Sequence, residues 1–295
     1  MSSPDSSPLS PPIFQTVARL RAPSQRFIAV APNGGRRVYA DHQAIPLKPD
    51  ELAQVARSCL ERGAAMIHLH VRDKAGRHLL DQEAYELAIS AVKNACGDEI
   101  LIQITTEALG IYPVEMQHQI VRDVRPDAAS LAFREFVDES DGGESEETFA
   151  TLLNWMRLQG AAAQIIIYDT DDLLRFRKFA YAHDLDLKDT NLLYVLGRYS
   201  DTPRGLHQLC EFTAFGFDEV NSLMVCAFGR EELGAVTAAA LFGADMRVGF
   251  ENNLWLPDGR VAPNNAALIA AAAQAVTGLG MEIGTATQLR TLWKC

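Results

Sequence analysis

Two histidines one residue apart stand in Ile67-His68-Leu69-His70-Val71-Arg72-Asp73, the densest polar cluster in any apolar run of the chain. Residues at i and i+2 of a strand leave the same face, so both imidazoles project together, and a converging neutral pair is a metal-binding arrangement. A lone histidine reads as a satisfied core residue; the H-x-H pair at a strand end reads as two ligands. Catalytic zinc commonly adds a carboxylate to two histidines and keeps a position open. Glu251 is the candidate, since it follows the last apolar strand in Arg247-Val248-Gly249-Phe250-Glu251-Asn252-Asn253. In a closed barrel that strand adjoins the first, which adjoins the one bearing the histidines. A solvated loop carboxylate is the competing reading.

Arg247 shares the inward face with Gly249 and Glu251 by period 2, and beside a metal it suits a bidentate grip on a carboxylate, unless it pairs with Asp73 or Asp245. Thr105 and Thr106 end the third strand, where hydroxyls and backbone N–H groups can hold a carboxylate or carbonyl oxygen. Asn33 follows the first strand in Ala31-Pro32-Asn33-Gly34-Gly35, where glycine allows close backbone approach to a ligand. Turn chemistry is the alternative for both. Arg72 and Asp73 are read as fixing the loop after the second strand. His42, His78, His118, His183 and His207 fall in loops or on helices and are read as surface or structural.

These residues need a scaffold, and the apolar runs supply one. Strands are expected at 27–31, 64–71, 99–105, 128–133, 163–169, 191–197, 220–227 and 245–250, mostly near-continuous apolar runs suited to burial on both faces. Helices are expected between them at 49–63, 81–97, 145–159, 170–183, 203–215, 231–243 and 264–278, with a weaker one near 113–123. Eight β-then-α units match a single (β/α)8 TIM barrel, whose active site lies at the C-terminal strand ends. No G-x-G-x-x-G or P-loop argues for a doubly wound sheet. The barrel is assigned to 26–295. Residues 1–25, rich in Ser and Pro, are expected to form a flexible or partner-draped arm.

The 295 residues carry a net charge of -11, which argues against a nucleic-acid surface. No apolar run approaches the roughly 18–20 residues that span a bilayer. Five scattered cysteines without a C-x-x-C pair suit reduced thiols, and the start of the chain lacks a secretory pattern, so the expected place is the cytoplasm. The apolar stretch 266–280 and the arm look like packing material for a homodimer or homotetramer.

The stretches 63–85 and 246–269 resemble one family, the β-keto acid cleavage enzymes, and the likeness extends over about 27–290. Position by position, the resemblance implies a TIM barrel with Zn2+ on His68, His70 and Glu251, assisted by Arg247. It implies a reversed Claisen exchange, in which a β-keto acid and acetyl-CoA give acetoacetate and an acyl-CoA. Thr105 and Thr106 match the region that holds the substrate carboxylate. The chain also departs from the family pattern. Asn252 stands where the family has the aspartate that deprotonates substrate, and a neutral amide cannot take that proton. Gln164 falls in the strand that carries paired glutamates in the family. Glu107-Ala108-Leu109 replaces a glycine-rich turn, and Phe133-Arg134-Glu135 replaces small pocket residues. Glu107 or Glu135 is expected to supply the base for an altered substrate, with Arg134 and Glu135 in its pocket. The alternatives are an aldolase-like or hydrolytic zinc cleavage, or a non-catalytic metabolite-binding homologue. An amidohydrolase-type site is disfavoured, because the fifth and sixth strands offer no histidine. Local attraction for an anionic acid and a coenzyme A ester is expected at the metal, Arg247, Arg134 and Arg230.

Overall fold

The computed structural model describes residues 25–198, 207–213 and 219–295. Eight parallel strands close a barrel: β1 (Ile28–Val30), β2 (Met66–Leu69), β3 (Leu101–Thr105), β4 (Ala128–Ala132), β5 (Ala162–Ile167), β6 (Asn191–Leu196), β7 (Ser222–Ala227) and β8 (Asp245–Val248). Each neighbours the next, and β8 pairs with β1 through Arg247 opposite Ala29. The helices that follow them in order are α1 (Pro49–Leu60), α2 (Gln82–Cys96), α3 (Val114–Val124), α4 (Glu144–Leu158), α5 (Thr170–Ala182), α6 (His207–Thr213), α7 (Glu232–Leu241) and α8 (Asn265–Gly278). The architecture is the (β/α)8 barrel that eight alternating units require. The arm expected over 1–25 lies outside the described residues up to position 24, as does part of the helix expected over 203–215.

Local chemistry explains the helix starts. Asp81, Asp169 and Asn264 are extended N-caps whose side chains accept from the N–H groups of Ala84, Asp172 and Ala267. Gly97, at φ 58, ends α2 where an L side chain would be strained. Alternation along the strands sorts two cores. Ile67, Leu69, Ile102 and Ile104 face the helices, whereas Met66, Leu101, Leu193 and Met224 point into the barrel. A last helix, α9 (Ala286–Trp293), covers the N-terminal end: Leu289 and Trp293 join the interior cluster, and Trp293 Nε1 donates to Ser222 Oγ at 2.8 Å.

One local outcome differs from expectation. β2 stops at Leu69, and Val71–Arg72 turns back to pair antiparallel with His78–Leu79, which puts His78 on a buried hairpin. Asp73 accepts the N–H groups of Ala75 and Arg77 and so closes that turn. The helix expected over 264–278 is α8, which packs against α1 and α7.

Candidate active site

His68 is an inward residue of β2 and His70 lies just past its end, both about 1% exposed. Their Nε2 atoms face each other at 3.1 Å. Glu251 Oε2 lies 3.3 Å from His70 Nε2 and 3.7 Å from His68 Nε2, so three potential ligand atoms fall within 4.8 Å of one another. The hydrogen-bond network assigns His68 its tautomer. Its Nδ1 lies 2.8 Å from Gln103 Oε1, and Gln103 Nε2 donates to Gln164 Oε1 at 3.0 Å. Nδ1 must therefore carry the proton, which leaves a lone pair on Nε2 pointing at the other two groups. Burial, reinforced by the Arg247 guanidinium, lowers the His68 pKa to about 4, and burial takes His70 well below its ordinary value. Neutral imidazoles are the metal-binding form. Burial pushes the Glu251 carboxyl up, but Arg247 and the two imidazoles outweigh it and hold the group well below the usual carboxylate range. Arg247 Nη2 donates to Glu251 Oε1 at 2.9 Å, while Arg247 Nε and Nη1 are buried without hydrogen-bond partners. Two lone pairs, one carboxylate and an anchoring arginine suit a divalent cation.

The same cavity is lined by Thr105, Thr106, Glu107, Ser130, Tyr168 and Arg198, and leaves about 10 Å³ free, roughly what one water needs. Thr105 Oγ1 accepts from Glu107 N–H at 3.0 Å, so its hydroxyl hydrogen can donate elsewhere, whereas Thr106 spends its own on Ser130 O at 2.9 Å. Glu107 Oε2 lies 3.8 Å from His70 Nδ1, and its other oxygen pairs with Arg198.

His68, His70, Glu251, Arg247, Thr105, Thr106 and Glu107 are thus brought together, and four other candidates lie outside the cavity lining. Asn33 Nδ2 donates to the carbonyls of Pro46 and His70, both at 2.9 Å, and so braces the loop behind His70. Arg134 pairs with Asp169 and Asp172 at 2.7 and 2.8 Å and lies over Tyr168. Glu135 accepts from Ala108 N–H at 3.0 Å. Asn252 is fully buried with both amide atoms unpartnered, and its carbonyl accepts from Gly229 N–H. Positive charge at the cavity comes from Arg247 and Arg198, while Arg230 stacks over Trp255.

Ser130, Tyr168, Arg198 and His78 escaped sequence reasoning. Ser130 and Tyr168 share the inward parity of Ala132 and Ile166, a signal present but shared with ordinary core residues. Arg198 lies two residues past the end of β6. His78 sits beside His70 with ring centroids 5.3 Å apart, and its Nε2 lies 2.7 Å from Glu107 O. Arg72 gathers the carbonyls of Gly34, Gly35, Arg37 and Gly76, so it ties the β1 loop to the hairpin.

The model of the beta-keto acid cleavage enzyme family matches residues 26–294. A 3-keto-5-aminohexanoate cleavage enzyme of Fusobacterium nucleatum is 26% identical over 275 residues, covering 91% of this chain and 97% of that protein. A 3,5-dioxohexanoate:acetyl-CoA acetone transferase of Paraburkholderia graminis is 23% identical, covering 90% and 94%. Among solved structures, the ternary complex of ObcA with a C4-CoA adduct and oxalate superposes with a TM-score of 0.68 at 16% identity, over 85% of this chain and 68% of that one. That last likeness speaks to the barrel alone.

Proposed function

The chain belongs to the beta-keto acid cleavage enzyme family, and on that premise we propose that it cleaves a β-keto acid by reversed Claisen exchange with acetyl-CoA, giving acetoacetate and a new acyl-CoA. The observation that carries the reading is the convergence of His68, His70 and Glu251 on one point beside Arg247, inside the cavity that Thr105 and Glu107 line. His68, His70 and Glu251 would hold Zn2+. The cation would act as a Lewis acid that favours the enolate of the β-keto acid.

The chain's own groups do the rest. Arg247 keeps Glu251 ionised and turned toward the imidazoles, and its unpartnered Nε and Nη1 offer donors to an anionic oxygen. Thr105 donates its hydroxyl hydrogen to the substrate carboxylate. Besides Glu251, Glu107 is the carboxylate lining the cavity among the described residues, so it takes the role of base that Asn252 cannot fill. Its pairing with Arg198 holds the carboxylate at the cavity wall. With Glu135 committed to the Ala108 amide and Arg134 to two aspartates, pocket specificity falls to Ser130, Tyr168 and Arg198.

A panel of β-keto acids incubated with acetyl-CoA tests this. Acetoacetate should form with at least one of them, in protein that elemental analysis finds to hold about one zinc per chain. Release of no acetoacetate across the panel, or full activity in metal-free protein, overturns the reading.

A further inference from the structure

Glu251 lies in a turn beyond β8, where no strand ladder fixes it. The turn is instead held amide by amide. Glu251 N–H donates to Ala31 O at 3.0 Å, and the Asn252 and Asn253 N–H groups both donate to Gly249 O at 2.9 and 3.0 Å. Phe250 N–H donates to Asn265 Oδ1 at 2.8 Å, and Asn265 Nδ2 donates on to Pro32 O. The remaining amide, Gly249 N–H, donates to Glu232 Oε1 at 3.1 Å. Glu232, in the first turn of α7, is 1% exposed, and its second oxygen accepts from Asn253 Nδ2, also at 3.1 Å. Asn253 cannot turn over to escape this contact without cost, because its Oδ1 accepts from Trp255 N–H. One buried carboxylate thus grips both ends of the five-residue turn that carries Glu251.

The turn also lacks room to drift. Gly249 sits at φ 144, and a Cβ there would lie 2.3 Å from Ala31 O, so β8 rests backbone to backbone on the end of β1. A carboxylate is costly to bury, and apolar neighbours would fill the space more cheaply. Its two contacts are what it supplies in return.

We infer that Glu232, acting with Asn253, is a positioning residue that sets Glu251 at ligand distance from His68 and His70. The inference rests on the proposed metal site. It assigns to α7, a helix with no residue at the cavity, a part in how tightly the metal is held.

Zinc affinity of metal-stripped, full-length protein, measured by competition with a chromophoric chelator, tests it alongside thermal unfolding of the stripped chain. Glu232→Ala should weaken zinc binding by roughly 10- to 100-fold, the range for groups that orient metal ligands. Glu232→Gln keeps an acceptor for Gly249 N–H and should lose less. A merely structural role would lower the unfolding temperature of the stripped chain yet leave the affinity of the folded chain alone. Affinity of folded Glu232→Ala within about twofold of the unsubstituted protein therefore overturns the inference. Should Glu232→Ala fail to fold, Asn253→Ala, which spares the Gly249 contact, is judged by the same criterion. Failure of the unsubstituted protein to bind zinc would sink the metal reading itself, and is seen without any variant.

Discussion

The two ends of the barrel are made by the same strands and filled in opposite ways. Toward the C-terminal end the interior holds His68, His70, Gln103, Gln164, Arg247 and Glu251, all under 10% exposed. Toward the N-terminal end it holds Ala29, Met66, Leu101, Met224 and Leu193, closed from below by Leu289 and Trp293 of α9. Burying charge costs several kcal/mol per ion unless partners repay it, whereas burying apolar surface returns about 25 cal/mol per Å². The floor therefore supports the fold so that the mouth can hold groups that do not. Asp245 is the exception at the floor. It is an inward carboxylate whose Oδ1 accepts from Phe27 N–H at 2.9 Å, and burial raises its pKa to about 7.

Substitutions at the two ends should separate these roles. The largest effect is expected from His68→Ala: bound zinc is lost, and turnover falls by about 1000-fold or more, the equivalent of the several kcal/mol a Lewis acid supplies. Metal analysis and acetoacetate formation check it, and retained zinc would mean the mouth is not a metal site. Next, Glu107→Gln should lower kcat by about 10²- to 10⁴-fold with zinc content unchanged, because it removes the proposed base and leaves a similar shape. An unchanged kcat would place the base elsewhere.

Asp245→Asn probes the floor. A carboxyl whose folded pKa is raised binds more protons folded than unfolded, so it costs stability as pH rises. The loss begins near the unfolded value of about 4 and is complete above the folded value of about 7. The unsubstituted protein should lose on the order of 2–4 kcal/mol more across that window than the variant, because the other buried carboxyls, Glu232 among them, titrate alike in both. Chemical denaturation at pH 4 and pH 7 measures the difference, and parallel slopes in the two proteins would refute it. The smallest effect is expected from Trp293→Phe, which loses the bond to Ser222 Oγ and part of the plug. About 1–2 kcal/mol of stability should go, with kcat unmoved. A fall in kcat would show that the two ends are coupled.

Period 2 and closure carried most of this arrangement from the sequence. The i, i+2 spacing places His68 and His70 together, and β8 beside β1 brings Glu251 to them. What escaped detection depends on geometry that periodicity does not encode. Glu231 and Glu232 are adjacent at the start of one helix, yet Glu231 is exposed and Glu232 is buried against the β8 turn. Arg134 and Arg198 each lie two residues past a strand end, and which of them faces the cavity depends on where the acids fall. Asp169 and Asp172 capture the first, and Glu107 draws the second inward. His78 could not be placed, because β2 ends two residues before a hairpin that the apolar run conceals. The altered acids of the family pattern were legible as letters. Their consequence was not: Glu135 turns to a backbone amide while Glu107 enters the cavity.

The amide pair under His68 has a direction. An amide donates only from nitrogen and accepts only at oxygen, so with Gln103 and Gln164 turned as they are, the Gln164–Gln103–His68 chain puts the proton on Nδ1. Turning Gln164 over would set two N–H groups face to face, Gln103 would have to follow, and its nitrogen would then meet the proton on His68 Nδ1. Which imidazole nitrogen offers its electrons thus follows from how two amides are turned, Gln103 on β3 and Gln164 on β5, a strand that offers no candidate ligand. Sequence drift at position 164 would be felt as a change in basicity at position 68, by a side chain that never touches it.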